Sequence, residues 1–97
     1  MKYYNLVFIN HGNNNKNYLF QLPLNISLKA GEKVFAQTII GTCLGTTVSK
    51  SFIVDKFTAK QIIAGAGAYE PLKDVIGFAE KQDGYRCIDF RLADLFF

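Results

Sequence analysis

The chain has no tryptophan, one methionine, one histidine, two cysteines and two prolines, and these scarcities narrow its chemistry. His11 stands alone, and Cys43 and Cys87 lie far apart with no CxxC pair or His/Cys cluster beside them. Zinc sites need such clusters. A nucleophilic cysteine needs a base that a third group orients, and nothing in the sequence orients His11. Gly65-Ala66-Gly67 lacks the third glycine and the preceding strand of a dinucleotide fingerprint. The glycines at 41 and 45 lead to no Lys-Ser/Thr pair of a phosphate-cradling loop. The expectation is a chain without catalysis, metal or cofactor.

Long apolar runs are missing as well. Leu6-Val7-Phe8-Ile9 is only four residues long, too short for a signal-peptide core. No run approaches the ~20 residues that span a bilayer. A cytoplasmic protein that engages no membrane is expected, with both cysteines as free thiols. His11 sits in the run Asn10-His11-Gly12-Asn13-Asn14-Asn15, a polar turn in which a solvated imidazole is the ordinary outcome.

What is present describes one small globule. Of 97 residues, 49% are hydrophobic and 20% charged, which fits a single compact domain over 1–97. Nine Phe and five Tyr favour a β-rich interior. Strands are expected over 2–9, 18–22 (ended by Pro23), 33–40 and 43–54, the last breaking near Ser49 and bending at Gly45. Thr58-Ala59-Lys60-Gln61 is a capping-box pattern that opens a short helix over about 58–66, stopped by Gly65 and Gly67. The segment 71–82 fits a helix by its apolar spacing, but Asp83-Gly84 is a hairpin signal that favours strands on either side. The reading is a mainly β fold: a small antiparallel β-barrel with one short α-helix.

Charge divides unevenly along this chain. Residues 1–60 carry Lys2, Lys16, Lys29, Lys33, Lys50, Lys56 and Lys60 against Glu32 and Asp55, a net +5. Residues 61–97 carry Lys73, Lys81, Arg86 and Arg91 against six acids, a net −2. The basic barrel-like region (1–57) is thus followed by an acidic helix, hairpin and apolar tail (58–97).

Within the basic region, Phe20, Pro23, Leu28, Gly31, Lys33, Val34, Gly45 and Val48 follow a spacing. An aromatic strand ends in Pro, then comes Leu-x-x-Gly-x-Lys-Val, then, after a loop, a strand with Gly45 and Val48 in the places of a Gly-x-Val element. This pattern, over about residues 16–48, resembles the amino-terminal, 3′ DNA-binding domain of the primosomal replication-restart helicase PriA. The resemblance implies a small β-barrel that binds DNA, here as a stand-alone protein of phage or mobile-element kind. Two positions depart from the family: Leu19 stands where an acid helps to recognise a terminal nucleotide, and Gln37 where a proline is usual.

Two functions follow as expectations. Lys16, Lys29, Lys33 and Lys50, interleaved with Tyr18 and Phe20, have the composition of a single-stranded DNA site, with lysines on phosphates and aromatics stacked on bases. The alternative is a protein-interaction module. Leu92-Ala93-Asp94-Leu95-Phe96 resembles the peptide by which replication proteins bind the sliding clamp, with Leu92, Asp94, Leu95 and Phe96 as its contacts. The same apolar residues also suit a homodimer seam or a docked amphipathic turn.

Overall fold

Strand β1 (Tyr3–Asn10) is covered on both faces, and the architecture is built around it. Leu6, Val7 and Ile9 are all fully buried, so neither face of the pleat is left to solvent. A computed structural model describes residues 2–12, 15–81 and 83–91. Among them are seven antiparallel strands and one helix.

On one side β1 pairs with β2 (Tyr18–Leu22), from Asn5↔Leu22 to Ile9↔Tyr18. On the other side it meets two strands in turn. β4 (Gly41–Thr47) pairs at Ile9 and Asn10, and β5 (Phe52–Asp55) pairs from Tyr3 to Leu6. Between them the chain bulges, while Val48 N still donates to Phe8 O at 2.9 Å. The 43–54 strand is therefore one pairing edge broken at 48–51, as its sequence suggests. Beyond β4 follow β3 (Lys33–Thr38), β6 (Val75–Lys81) and β7 (Tyr85–Asp89), in the order β2-β1-β4-β3-β6-β7.

The sheet curls but is not closed into the expected barrel. A single parallel bridge, Gln21↔Asp74, joins the start of β6 to β2. It is supported by Gln21 N to Lys73 O at 3.0 Å and by Gln37 N to Asp74 O at 2.8 Å. The chain reaches this gap from the helix, so only one bridge forms where a ladder would complete a barrel.

Helix α1 (Lys56–Gly65) begins two residues earlier than the Thr58 signal indicates. Asp55, extended at φ −72° and ψ 170°, is the N-cap, and its carboxylate accepts from Thr58 N at 2.7 Å. Asp is a strong N-cap, and its place at the end of β5 lets strand and helix join without a loop. Ala59 and Ile63 pack against Leu6, Leu19 and Leu72 on the outer face of β1 and β2. The opposite face carries the larger cluster, including Val7, Ile9, Phe20, Leu28, Val34 and Phe90.

Val75–Lys81 and Tyr85–Asp89 form a hairpin, so strand begins at Val75 within the ambiguous segment 71–82. Lys81 pairs with Tyr85, so the connection spans three residues, 82–84, where the Asp-Gly signal alone suggests two. Asp83 and Gly84 take φ of 51° and 106°, the left-handed values for which Asp and Gly are suited. β3 stops at Thr38, short of Ile40. Thr38 Oγ1 donates to Gly41 O at 2.8 Å and accepts from Ile40 N at 3.3 Å, turning the two isoleucines into the hairpin tip. No helix of the described residues is long and apolar enough to cross a membrane.

Candidate nucleic-acid interface

The basic end of the sheet is assembled by Thr47 and Ser51. Thr47 is 1% exposed; its Oγ1 donates to Lys29 O at 2.6 Å and accepts from Glu32 N at 2.9 Å. Its backbone accepts from Gly31 N and donates to Glu32 O. Ser51 Oγ accepts from Leu28 N at 2.8 Å, and Ser51 N donates to Leu28 O at 2.9 Å. Buried polar groups need such partners, and these hold the 28–32 loop against the 48–51 bulge. Lys29 and Lys50 flank that seam. Lys33 opens β3 opposite Thr46, donating Nζ to Thr46 Oγ1 at 2.6 Å.

Lys16 approaches the same end from the other side. Asn10, paired with Thr46 across β1 and β4, donates Nδ2 to Lys16 O at 3.4 Å and to Asn17 Oδ1 at 3.1 Å. Neighbouring strands lie ~4.8 Å apart, so β2 to β3 spans roughly 14 Å. The Lys16 ammonium sits 5.1 Å from the centre of the Tyr18 ring, within cation–π range. Lys29, Lys33 and Lys50 are thus one group, and Lys16 with Tyr18 stands across the sheet end from them.

Among the described residues, two of the chain's eight acidic side chains are engaged by arginines away from this end. Glu80 meets Arg86 at 3.1 Å and Asp89 meets Arg91 at 2.9 Å. Hydrogen bonds from the Arg91 side chain and amide hold the Asp89 carboxyl below its ordinary range. Exposed pairs like these add little stability, but they confine much of the acidic half to the β6–β7 hairpin. Near the basic loop the sequence supplies Glu32, whose Oε1 accepts from Lys29 N at 3.2 Å.

Tyr18 is 37% exposed, but Phe20, expected to stack on a base, is 5% exposed in the main core. Its ring meets His11 edge-on at 5.7 Å. Phe20 is thus a core residue that also lines the cleft described below. Leu19, on the other face of β2, is buried against α1.

His11 differs from the solvated imidazole expected of an Asn/Gly turn. It continues past β1 and turns inward, with Nδ1 3.0 Å from Leu44 O. A carbonyl only accepts, so in the neutral ring Nδ1 carries the proton and Nε2 is the acceptor. Nε2 is buried without a partner among the described residues. His11 forms part of the floor of a cleft of about 790 Å³ between the start of β2, the β3–β4 tip and residues 66–73. Sequence reading missed this cleft, whose three walls are distant in the chain. Cys43 lines it as a free thiol, its Sγ 3.4 Å from Thr38 Oγ1.

The tail residues Leu92, Asp94, Leu95 and Phe96, expected to contact a protein partner, lie outside the described residues. No protein-family model matches this chain, and no curated protein or solved structure matches it.

Proposed function

We propose that the chain is a non-catalytic nucleic-acid-binding module that takes single-stranded or end-containing DNA across the basic end of its sheet. The observation that carries this reading is the grouping of Lys29, Lys33 and Lys50 around the Thr47 and Ser51 hydrogen bonds, with Lys16 and Tyr18 across the same end of the sheet at β2. None of these three lysines meets a carboxylate within 4.0 Å among the described residues, so their charge is available to phosphates. On this reading the curled sheet serves as a partly open small barrel. The spacing that resembles the PriA amino-terminal domain supports a role in replication, in a phage or another mobile element.

The test is anisotropy of a labelled single-stranded oligonucleotide over a salt series. Four lysine–phosphate contacts give a slope of log K against log salt of about −3, at roughly −0.7 per phosphate. Lys29→Ala, Lys33→Ala and Lys50→Ala should each flatten the slope by about 0.7. Failure of the wild-type chain to bind any oligonucleotide at low salt overturns the reading.

A further inference from the structure

A protrusion and a recess lie side by side on this molecule. Ile39 and Ile40 form the tip of the β3–β4 hairpin, between the paired residues Thr38 and Gly41, and stand 91% and 85% exposed. Two-residue tips ordinarily carry Gly, Asn, Asp or Ser. Both isoleucines also border the 790 Å³ cleft, and another of its walls is residues 66–73, where Tyr69 is 89% exposed. Exposed apolar side chains grouped in this way mark a contact surface.

We propose that the occupant of this cleft is the Ile39–Ile40 tip of a second copy of the chain, the two copies exchanging tips about a two-fold axis. Because tip and cleft adjoin, the rotation that seats one tip in the partner's cleft also brings the partner's tip into the first. Such a contact is self-complementary and closes on itself. Two isoleucine side chains take up roughly 200 Å³, so the cleft admits the tip together with the strand ends that carry it.

Area favours a second copy over a lone peptide. One seated tip removes on the order of 300 Å² of isoleucine surface from water, and a comparable area of cleft wall. A single insertion therefore buries about 600 Å², below the ~1,200 Å² at which specific interfaces begin. Made twice, the exchange reaches that size. It also covers the tips of both copies, which a peptide lying in one cleft would leave in water. The charged residues lining the cleft are of both signs, Lys16 and Lys73 with Glu70, and Lys16 is drawn over its own Tyr18 ring. A second copy thus meets apolar side chains with mixed charge among them, and no field of one sign to repel it. Lys29, Lys33 and Lys50 are not among the lining residues. Lys33 opens β3, whose last residue is Thr38, roughly 17 Å further along the strand, so the dimer carries two lysine groups clear of the seam.

The test is sedimentation velocity of the full chain over a concentration series, joined to alkylation of its two thiols. Cys43 lines the cleft, whereas Cys87 is exposed on β7. The chain should sediment as a monomer–dimer equilibrium. Iodoacetamide should label Cys43 several-fold more slowly in the dimer than after dilution, with Cys87 labelled equally in both. Ile39→Ser/Ile40→Ser, altered only at exposed positions, should weaken the dimer at least about tenfold and restore Cys43 labelling, with an unchanged circular dichroism spectrum. Added salt should leave the dimer intact, since apolar contacts are not screened, whereas oligonucleotide binding falls with salt. A chain monomeric up to about 1 mM, a dimer indifferent to the isoleucine pair, or a dimer in which Cys43 labels as fast as in the monomer overturns the exchange and leaves the lysine interface standing. Open-ended assemblies overturn it too, because one-way insertion does not close.

Discussion

Gly45 lies directly beneath His11: a Cβ at residue 45 would stand 3.1 Å from Nδ1 of the imidazole and 2.5 Å from Cγ2 of Ile9. The glycine expected to mark a bend in β4 is thus the place where the end of β1 crosses over it. Ile9 is fully buried, so it has little room to retreat. Gly45→Ala is expected to cost about 1–3 kcal/mol, as overpacking does, and to push His11 from its bond to Leu44 O. Thermal unfolding checks the first effect, and the ring resonances of this single histidine check the second. An unchanged melting temperature with unchanged ring shifts would contradict the close approach.

Thr47→Val tests whether the lysine group depends on geometry as well as on charge. The substitution keeps shape but removes the hydroxyl that serves Lys29 O and Glu32 N. Leaving such groups unpaired costs about 1–3 kcal/mol. Net charge is unchanged, so a purely diffuse electrostatic attraction predicts unaltered affinity. The expected result is several-fold weaker oligonucleotide binding at fixed salt by a chain that still folds, as read by anisotropy beside circular dichroism.

The strands were legible because their signals are local. Pro23 after Leu22, the weak point near Ser49 and Asp83-Gly84 each punctuate the chain at a turn. Asp55 was an equally local cap, but Thr58 and Gln61 imitate a capping box and drew the helix start inward. The fate of Phe20 was not legible. Leu19 and Phe20 are both buried because α1 covers one face of β2 and the core covers the other. Alternation along a strand reports burial only when one face is wet, and nothing within 18–22 tells where a helix forty residues later will pack. The cleft escaped for the same reason, since its walls are distant in the chain and are joined by long-range contacts such as the Gln21↔Asp74 bridge, Gln21 Nε2 to Leu72 O and His11 with Leu44.

Asn5 ties the loop after β2 to the sheet and should be intolerant of a charge. It is 3% exposed, and its Nδ2 donates to Pro23 O at 2.8 Å and Ile26 O at 2.6 Å. Both partners are carbonyls, so only a donor satisfies them, and Oδ1 is left without a partner among the described residues. Asn5→Ala should destabilise by about 2 kcal/mol through the unpaired carbonyls. Asn5→Asp, nearly the same shape, should be worse at neutral pH, because it turns a carboxylate onto two carbonyl oxygens. Urea unfolding of both variants checks the order, and an aspartate variant more stable than the alanine one would contradict it.

Asp55 gives the fold a pH dependence whose direction is fixed by its cap. Bonds from the Thr58 backbone amide, and then from the Thr58 side chain, hold its carboxyl below the ordinary value. A carboxyl lowered on folding stabilises the native state fully above its unfolded pKa of ~3.9. That contribution fades as pH falls through the lowered value, where protonation of the cap begins in the folded chain. Asp55→Ala should therefore lower the melting temperature at pH 7, since an N-cap is lost. Below about pH 4 the gap between variant and wild type should narrow, because the wild-type carboxylate is being lost as well. α1 covers Leu6 and Leu19, so fraying from its first turn exposes the outer core and makes the effect visible in global unfolding. A gap that stays constant from pH 7 to pH 3 would show that the cap acts through shape alone and not through its charge.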